Sequence, residues 1–460
     1  MPDKNLIKKF EELVGKDGVM SSEADRRSYA YDAAVLDAET PSLVIRPENT
    51  EQLGDVVKLC FENGLAIIPR GAGTNLSGGT IPSKDGIVLL TNGLNRILEI
   101  NEQDLYAVVE PGVVTATFAA EVSKRGLFYP PDPGSQAVST MGGNVAENAG
   151  GLRGLKYGVT KDYVMGMDFY DSKGDLVRTG GRTVKNVTGL NLNALMVGSE
   201  GTMGVMKEIV LKLIPPPKAS KAMMAQFDNV DKASEAVAAI IAEKIVPCTL
   251  EFLDNATIRY VEDFRKVGLP VDAQAILLIE VDGHPVEVDE DAEKVVEICK
   301  KVGATEVKAA KDEQERAKLW QARRDALPAL ARAKPTTVLE DATVPRSRIP
   351  EMVRAINKIA EKYKIDIGTF GHAGDGNLHP TILTDKRDKA EFERVEQAID
   401  EIFDVALSMQ GTLSGEHGIG IAKSKWLEKE TSPATIEYTK KLKEAVDPKN
   451  ILNPGKIIGG

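Results

Sequence analysis

The spacing of apolar residues predicts regular elements near the start of the chain. An apolar run at residues 42–47 is typical of a strand that ends at a proline. In the segment after it, Leu53, Val56 and Cys60 recur at helical spacing, and Gly64 can end the helix. The sequence therefore predicts a strand followed by a helix in this region.

Further short apolar runs mark strands, and one pair of them forms a hairpin. The predicted strands lie at residues 66–69, 86–90 and 105–112, and residues 165–180 form two strands around a turn at 172–174. Because helices alternate with hairpins, the pattern indicates an α+β fold rather than a purely parallel sheet.

Three consecutive prolines at residues 215–217 mark a domain boundary, because proline can continue neither a helix nor the interior of a sheet. The boundary predicts a first domain at residues 1–215 and a second α+β domain at 216–415. The remaining residues, 416–460, are predicted to form a C-terminal segment that is helical to about Val446.

Composition narrows the class of protein. The 460 residues carry a net charge of −11 and no long basic run, which argues against nucleic acid and anionic membranes as partners. No apolar run approaches the ~20 residues of a membrane span, and the first residues lack the apolar core of a signal peptide. The three cysteines are scattered, which is typical of a reducing compartment. These features predict a soluble, cytoplasmic metabolic enzyme.

Glycine-rich runs occur at three places in the first domain. Residues 69–79, PRGAGTNLSGG, come directly after a predicted strand, where glycines let backbone N–H groups converge on an anion. The run is neither a Walker loop nor a dinucleotide fingerprint, because no Lys-Ser/Thr pair follows and Leu76 stands where the third glycine belongs. Alone, it is equally consistent with a plain tight turn. Together with the runs at 130–151 and 197–205, it indicates backbone packed along one extended ligand, such as a diphosphate-linked dinucleotide.

Three of the four histidines lie in two further glycine-rich segments, 371–380 and 414–420. His372 and His379 would be ~10 Å apart along a helix, and the glycines between them exclude a helix. A strand–turn–strand arrangement brings both imidazoles to one point, where Glu416 can complete a metal site of two histidines and a glutamate. Zinc, manganese and iron(II) all suit these ligands. The alternative is that each histidine only hydrogen-bonds within its own loop.

The order of these motifs resembles one type of flavoprotein. Over nearly the whole chain it runs from PRGAGT through GGNVAENAGGLRGLKYG, KNVTG and VGSEGTMGV to GHAGDGNLHP, SGEHGIG and NPGKI. It resembles the vanillyl-alcohol oxidase/p-cresol methylhydroxylase (PCMH) type, and within it the group of the glycolate oxidase D subunit and D-lactate dehydrogenase. The resemblance implies a PCMH-type FAD-binding domain of two subdomains at 1–215. It also implies an α+β cap domain with the substrate and metal site at 216–415, and a C-terminal helical segment at 416–460 that returns to the FAD site.

The resemblance also implies an FAD cofactor, with its pyrophosphate on residues 70–75 and its flavin near the second and third glycine-rich runs. None of the histidines or cysteines lies in the motifs at the flavin, so we expect FAD to be bound non-covalently. The residues expected to bind the cofactor are Pro69, Arg70, Gly71, Ala72, Gly73, Thr74, Asn75, Ser77, Gly78, Pro133, Gly134, Ser135, Gly142, Gly143, Asn144, Asn148, Gly151, Tyr157, Gly158, Glu200, Gly201, Gly204 and Asn453. For Asn144 and Asn148, the alternative is that they only cap turns.

The resemblance gives catalytic roles to the histidine segments and to one arginine. His372, His379 and Glu416 match the family's metal ligands, and His417 matches its catalytic base. In the run LWQARRD, Arg323 aligns with the arginine that binds the substrate carboxylate, a role that suits a planar guanidinium. The alternative is that this arginine is only a solvated charge on a helix face.

The activity that the resemblance implies is oxidation of a small D-2-hydroxy acid, D-lactate or glycolate, with hydride transfer to flavin N5. Leu339 stands where relatives that act on dicarboxylates carry a lysine, which favours a monocarboxylate over a larger acid such as D-2-hydroxyglutarate. Electrons are expected to leave to a separate acceptor, which can be an iron–sulfur subunit, an electron-transferring flavoprotein or a soluble carrier. A homodimer is also compatible with the sequence.

Two other classes of function fit the sequence less well. A metal-dependent hydrolase would leave the three glycine-rich runs of the first domain unexplained. A non-catalytic electron-transfer subunit or scaffold would have no use for the metal ligands or for Arg323.

Overall fold

The computed structural model describes residues 2–459, which fold into two compact units, each with its own sheets and apolar core. The first unit comprises residues 2–150, 159–216 and 416–459. The second unit comprises residues 151–158 and 217–415.

Sixteen α-helices occur in residues 2–459, and several begin at a side chain that accepts a hydrogen bond from the first turn, as Asp3 does for the first helix. No helix in this part of the chain is both long and apolar enough to cross a membrane. In chain order the helices are α1 (Lys4–Val14), α2 (Glu23–Arg27), α3 (Glu51–Asn63), α4 (Thr115–Ser123), α5 (Met141–Glu147), α6 (Gly154–Tyr157), α7 (Leu192–Met196), α8 (Val230–Ala242), α9 (Asn255–Arg265), α10 (Pro285–Val302), α11 (Glu313–Arg324), α12 (Ala326–Ala331), α13 (Ile349–Tyr363), α14 (Lys389–Ser408), α15 (Leu427–Glu430) and α16 (Pro433–Val446).

The first sheet of the first unit has four strands in the order β1-β2-β4-β3. They are β1 (Val19–Met20), β2 (Leu43–Ile45), β3 (Ile67–Arg70) and β4 (Ile87–Leu90). Strands β2 and β3 both run parallel to β4, and α3 connects β2 to β3. Leu53, Val56 and Cys60 of α3 are buried in one core with the strands, and Gly64 ends the helix with a φ of +64°. The predicted strand, helix and helix end are confirmed.

The second sheet of the first unit is antiparallel and contains the predicted hairpin. Its strands, in the order β5-β6-β9-β7-β8, are β5 (Ile97–Asn101), β6 (Tyr106–Val109), β7 (Val164–Tyr170), β8 (Leu176–Gly180) and β9 (Val205–Lys212). Strands β7 and β8 pair around a turn that contains Gly174 at a φ of +83°. The predicted hairpin at residues 165–180 is therefore confirmed.

Helix α5 was not predicted, because glycine and asparagine are poor helix formers. Its sequence, MGGNVAE, lies within the second glycine-rich run. The Thr140 hydroxyl oxygen caps the helix by accepting a hydrogen bond from the Gly143 N–H (3.4 Å), and Met141 and Val145 are buried in the core. Packing of these two apolar residues, which lie one turn apart, stabilises a helix that local propensity disfavours.

The C-terminal residues extend the first sheet beside β3. Leu452 pairs in parallel with Ile67, whose N–H donates to the Ile451 carbonyl oxygen (2.7 Å). The N–H of Asn453 in turn donates to the Ile67 carbonyl oxygen (2.8 Å). This pairing brings Asn453 next to the strand that leads into the first glycine-rich run.

The second unit contains an antiparallel sheet of eight strands. They are β10 (Ala219–Phe227), β11 (Thr249–Asp254), β12 (Ala275–Gly283), β13 (Glu306–Ala309), β14 (Thr336–Leu339), β15 (Ala342–Thr343), β16 (Asp366–His372) and β17 (Asn377–Thr384). Their order is β13-β10-β12-β11-β16-β17-β14, and β15 also pairs with β17. Helices α9 and α12 pack in one core with Trp320 of α11 and Phe370 of β16. This core lies beside the β16–β17 hairpin, which carries His372 and His379.

Candidate functional site

The first glycine-rich run contains a loop, residues 71–78, whose backbone N–H groups have no hydrogen-bond acceptor within residues 2–459. Strand β3 ends at Arg70, and the loop 71–78 follows it. No backbone N–H of residues 71–78 donates a hydrogen bond to a group within residues 2–459. Neighbouring N–H groups without a protein acceptor form a concave site for an anion. We therefore expect an anion at this loop, and its identity as the diphosphate of FAD stays a prediction.

Two glycines allow this loop to lie close to its neighbours. Gly73 has a φ of +70°, and a Cβ there would clash with the guanidinium of Arg70. The Arg70 guanidinium is also fixed by a hydrogen bond, which its Nη1 donates to the Tyr31 carbonyl oxygen (2.7 Å). A Cβ at Gly71 would clash with the hydroxyl oxygen of Thr140, the residue that caps α5. The loop and the start of α5 are therefore in direct contact.

Asn144 of α5 and Asn148, which follows the helix directly, have structural roles. The side-chain amide of Asn144 is buried and donates to the Thr115 hydroxyl oxygen (2.8 Å). Asn148 ends α5 in the left-handed conformation, with a φ of +52°, and its Oδ1 accepts from the Lys161 N–H (2.9 Å). Asn148 therefore caps the end of α5, whereas the alternative that either asparagine only caps a turn is untested. A contact of either residue with the flavin stays a prediction.

The third glycine-rich run and the chain end are joined to the first run by Asn453. Its amide donates to the carbonyl oxygens of Gly79 (2.8 Å) and Glu200 (2.6 Å). The Glu200 carboxylate accepts from the N–H groups of Ile419 and Gly420, both at 2.7 Å. Four segments that are distant in sequence thus meet around Glu200 and Asn453, which explains why the closing NPG is an ordered part of the fold.

Buried ionisable groups line this meeting point. Burial raises the pKa of Glu200 to about 7, against the effect of its two backbone hydrogen bonds. Burial and the neighbouring Glu200 raise the pKa of Glu147 well above its ordinary value. Burial also lowers the pKa of Lys456 to about 8, and its Nζ donates to the Ile81 carbonyl oxygen (2.8 Å). Neutral carboxyl groups can donate as well as accept hydrogen bonds, so this region is polar without carrying its full negative charge.

The other residues of the first unit that were assigned to the cofactor lie in the turn before α5, in α5 itself and in the third glycine-rich run. Pro133, Gly134 and Ser135 form a turn before α5, and the Ser135 carbonyl oxygen accepts from the Ser139 N–H (2.8 Å). Gly201 lies against the Pro69 ring. Gly142 and Gly143 lie in the first turn of α5, and Gly204 packs against Phe169. These positions leave their contacts with FAD as predictions.

Gly151, Tyr157 and Gly158 belong to the second unit. The Tyr157 hydroxyl donates to the Asp282 carboxylate (2.7 Å), which also pairs with Lys156 (2.6 Å). The segment 151–158 is therefore attached to the end of β12, and its assignment to the cofactor also stays a prediction.

The β16–β17 hairpin brings two histidines together as predicted. The strands pair from Asp366 with Leu383 to His372 with Asn377, and a turn at residues 373–376 joins them. The imidazole rings of His372 and His379 lie 5.2 Å apart between centroids, at an interplanar angle of 89°. Both side chains are buried. The strand–turn–strand arrangement is confirmed, whereas the role of these histidines as metal ligands is untested.

Glu251 of β11 is a member of this cluster that the sequence analysis missed. Its side chain is fully buried, and its Oε1 lies 2.8 Å from His372 Nδ1. Its Oε2 accepts a hydrogen bond from Arg323 Nε (2.5 Å). Although burial raises the pKa of Glu251, the charges and hydrogen bonds of His372 and Arg323 hold it below its ordinary value. The available signal was an acid, Glu251, with apolar neighbours on both sides in the strand TLEFLD.

Arg323 lies in the last turn of α11 and is only 7% exposed. Its guanidinium carbon lies 4.7 Å from the centre of the Phe370 ring, within cation–π distance. The neighbouring Arg324 is exposed and contacts Gln321. The alternative of a solvated helix-face charge therefore describes Arg324 but is wrong for Arg323.

The segment before Glu416 is anchored within the second unit. Thr412 pairs with Thr343 of β15, and the Ser414 hydroxyl donates to the buried carboxylate of Asp341 (2.7 Å). Asp341 Oδ1 lies 4.0 Å from His379 Nδ1. Residues 412–414 therefore lie near the histidine hairpin of the second unit, which ends at residue 415.

Glu416 and His417 are the first two residues of the last segment of the first unit. Glu416 lies against Gly150, and its Oε1 is 3.6 Å from His417 Nε2. The next residue, Gly418, lies against the carboxyl groups of Glu147 and Glu200. His417 is therefore adjacent in the chain to the polar region described above.

Two family models match the chain and together cover most of it. The FAD binding domain matches residues 41–180, and the C-terminal domain of FAD linked oxidases matches residues 216–457. The glycine-rich runs at 69–79 and 130–151 fall within the first match, and the histidine hairpin falls within the second.

The chain is also similar to named relatives over nearly its full length. It is 51% identical over 457 residues to the glycolate oxidase subunit GlcD of Bacillus subtilis, covering 99% of this chain and 97% of the relative. It is 40% identical over 418 residues to GlcD of Escherichia coli strain K12, covering 91% and 84%. It is 33% identical over 462 residues to a D-lactate dehydrogenase of Anaerostipes hadrus, covering 98% and 97%.

Solved structures support the fold. Substrate-bound p-cresol methylhydroxylase has a TM-score of 0.81 at 18% identity, covering 99% of this chain and 96% of the other. The 4-ethylphenol oxidase of Gulosibacter chungangensis has a TM-score of 0.80 at 19% identity, covering 98% and 96%. The predicted α+β fold of PCMH type is confirmed. The chain therefore belongs to the family of FAD-linked oxidases and is an FAD-dependent oxidoreductase.

Proposed function

We propose that this protein oxidises a small D-2-hydroxy acid, D-lactate or glycolate, to the 2-oxo acid with FAD and the assistance of a divalent metal. The observation that carries the proposal is the buried cluster in which Arg323 and His372 share Glu251, with His379 beside His372. A 2-hydroxy acid offers a carboxylate and a hydroxyl oxygen for recognition. A guanidinium suits the carboxylate, and a cation held by imidazoles suits the hydroxyl oxygen. The names of the relatives support this class of substrate.

We assign His372, His379 and Glu416 as the ligands of zinc, manganese or iron(II). Two close imidazoles and a carboxylate are a donor set that these metals accept, and three protein ligands leave coordination positions open. Because Ser414 is fixed to Asp341 of the second unit, the chain position of Glu416 supports its inclusion. A cation at these ligands would lower the pKa of a hydroxyl group that binds to it.

The other steps are assigned to side chains of this protein. Arg323 binds the substrate carboxylate through its terminal nitrogens and so orients C2. His417 accepts the hydroxyl proton, a contribution that for a general base is typically worth ~10²–10⁴-fold in rate. FAD, when bound, would supply N5 as the acceptor of the hydride from C2, which Arg323 orients. Loss of one proton and one hydride converts the hydroxy acid to the oxo acid, and His417 then releases its proton to solvent.

Reoxidation of FAD is assigned to a separate acceptor, an iron–sulfur subunit or an electron-transferring flavoprotein. Two relatives are named as subunits of glycolate oxidase, which supports a partner protein. The three cysteines, Cys60, Cys248 and Cys299, are each free and buried.

We also propose a cytoplasmic location, because scattered free cysteines are typical of a reducing compartment.

Anaerobic titration of the purified flavoprotein tests the substrate class. The flavin absorbance is followed as D-lactate, L-lactate, glycolate and D-2-hydroxyglutarate are added in separate experiments. We expect rapid bleaching by D-lactate or glycolate. Reduction by D-2-hydroxyglutarate alone would move the assignment to larger acids, and a flavin that none of these acids reduces would contradict the proposal.

A further inference from the structure

Glu251 connects the two parts of the cluster in the second unit. One carboxylate oxygen lies at His372 Nδ1 (2.8 Å), and the other accepts from Arg323 Nε (2.5 Å). We propose that Glu251 is a positioning residue for the reaction, which orients the His372 ring toward the metal and the Arg323 guanidinium toward the substrate carboxylate. This inference rests on the proposed function.

The contact with His372 selects one form of the imidazole. An ionised carboxylate can only accept hydrogen bonds, so Nδ1 carries the proton of the neutral imidazole, and in that form Nε2 has the lone pair that binds a metal. Metal-binding histidines commonly donate their second ring N–H to a carboxylate, which fixes the ring and makes it a better ligand. The contact therefore prepares His372 for binding through Nε2.

The contact with Arg323 leaves part of the guanidinium for a ligand. Within residues 2–459, the hydrogen bond from Nε to Glu251 is the only one that this side chain makes. A guanidinium has five N–H donors, and only Nε is used by Glu251. The terminal nitrogens make no hydrogen bond within residues 2–459, so they can bind the substrate carboxylate.

The backbone holds Glu251 firmly in place. In β11 it pairs with Leu278 of β12, and the next residue, Phe252, pairs with Gly371 of β16. Leu250 and Phe252 are both fully or almost fully buried. Because a sheet strand on either side fixes this position, the carboxylate cannot shift toward one partner without losing the other. We therefore expect metal binding and substrate binding to weaken together when Glu251 is changed.

The substitution Glu251→Gln tests the inference, because it keeps the shape of the side chain and removes its charge. The amide can accept from only one of the two partners, since its NH₂ group faces a donor at the other. The metal dissociation constant of the FAD-loaded protein is measured by competition with a chromophoric chelator, using zinc. Metal affinity is expected to fall by about 10- to 100-fold, and KM for the reducing hydroxy acid is expected to rise while the FAD content is unchanged.

Glu280→Gln is the matched control. Glu280 is a buried acid of the neighbouring strand β12, and it pairs with Arg316 at 2.8 Å. Its loss removes a comparable ion pair without touching either histidine, so metal affinity and KM should match the wild type. This control separates a specific effect of Glu251 from general destabilisation.

Glu251→Asp gives a second test if the glutamine variant does not fold. The shorter side chain keeps the negative charge but cannot reach both partners, so zinc affinity or KM should still change. Unchanged zinc affinity and KM in either folded Glu251 variant would overturn the inference. A wild-type protein that binds no zinc and is insensitive to chelators would instead contradict the metal assignment of the proposed function, so the two failures can be told apart.

Discussion

Asn453 donates both hydrogens of its side-chain amide to backbone carbonyl oxygens, at Gly79 (2.8 Å) and at Glu200 (2.6 Å). One side chain at the end of the chain thus ties together the first and third glycine-rich runs. The side chain is 1% exposed, so water cannot replace either bond. The arrangement of these two runs, which we expect to bind FAD, therefore depends on a residue more than 250 positions from the nearer of them.

Asn453→Ala should release FAD from the purified protein. Two buried carbonyl groups would lose their donor, and each unsatisfied group costs about 1–3 kcal/mol. The ratio of flavin absorbance at 450 nm to protein absorbance measures the FAD content. Asn63→Ala is the control, since the exposed Asn63 bonds only within α3. Equal FAD contents in the two variants would contradict the role of Asn453.

Arg323→Lys should impair substrate binding although it keeps the positive charge. A lysine ammonium offers no planar fork for a carboxylate and cannot bind Glu251 in the same geometry. Loss of one hydrogen bond to a charged group, about 1.5–3 kcal/mol, lowers kcat/KM by roughly 10- to 150-fold, mainly through KM.

Steady-state kinetics with an artificial electron acceptor measure this effect. Arg324→Lys is the matched control on the same turn of α11, where the side chain is exposed. The assignment of Arg323 would fail if the two lysine variants had the same kcat/KM.

Asp254 should make stability depend on pH. Burial raises its pKa to about 6 from an ordinary 3.8, although the backbone N–H groups of Thr257 and Thr369 donate to it. Because the pKa of Asp254 is higher in the folded state than in the unfolded state, only the folded state keeps this proton between pH ~4 and 6. Stability therefore falls as pH rises through this window and becomes constant above it, a change of about 3 kcal/mol at most.

Asp254→Asn should remove this contribution while it keeps a side-chain oxygen for capping α9. Urea unfolding at pH 4, 5, 6 and 7 gives the free energy of unfolding of each protein. Asp388→Asn, at the exposed cap of α14, is the control. We expect the stability of the wild type relative to Asp254→Asn to decrease from pH 4 to 6. A difference that is constant with pH would show that Asp254 does not titrate as stated.

Local patterns were sufficient to predict much of the fold. The strands at 66–69 and 86–90 and the hairpin at 165–180 were predicted from short apolar runs and turn residues, which act over a few positions. The histidine hairpin was predicted because the glycines at 374 and 376 rule out a helix and favour a turn. Each of these features depends on neighbours in sequence, so the sequence alone contained the signal.

The features that were missed depend on distant residues. Helix α5 forms because Met141 and Val145 are buried against other elements, which outweighs the low helix propensity of its glycines. Glu251 and Arg323 are 72 positions apart and meet because of how β11 and α11 pack. The pairing order of strands in an antiparallel sheet is set by tertiary packing, so no local pattern could have paired these two residues.

The rate of flavin reduction measures whether a metal held by the histidine hairpin assists hydride transfer. Anaerobic stopped-flow measurements would use the best hydroxy acid substrate and compare the native, chelator-treated and metal-reloaded protein with His379→Ala. The control is His284→Ala, which changes an exposed histidine at the start of α10.

We expect chelation to slow flavin reduction by roughly 100-fold or more, since a bound cation supplies several kcal/mol of charge stabilisation. Added metal should restore the rate of the wild type and of His284→Ala, but not that of His379→Ala. If His379→Ala reduced its flavin at the wild-type rate and kept its full metal content, the hairpin could not be the metal site.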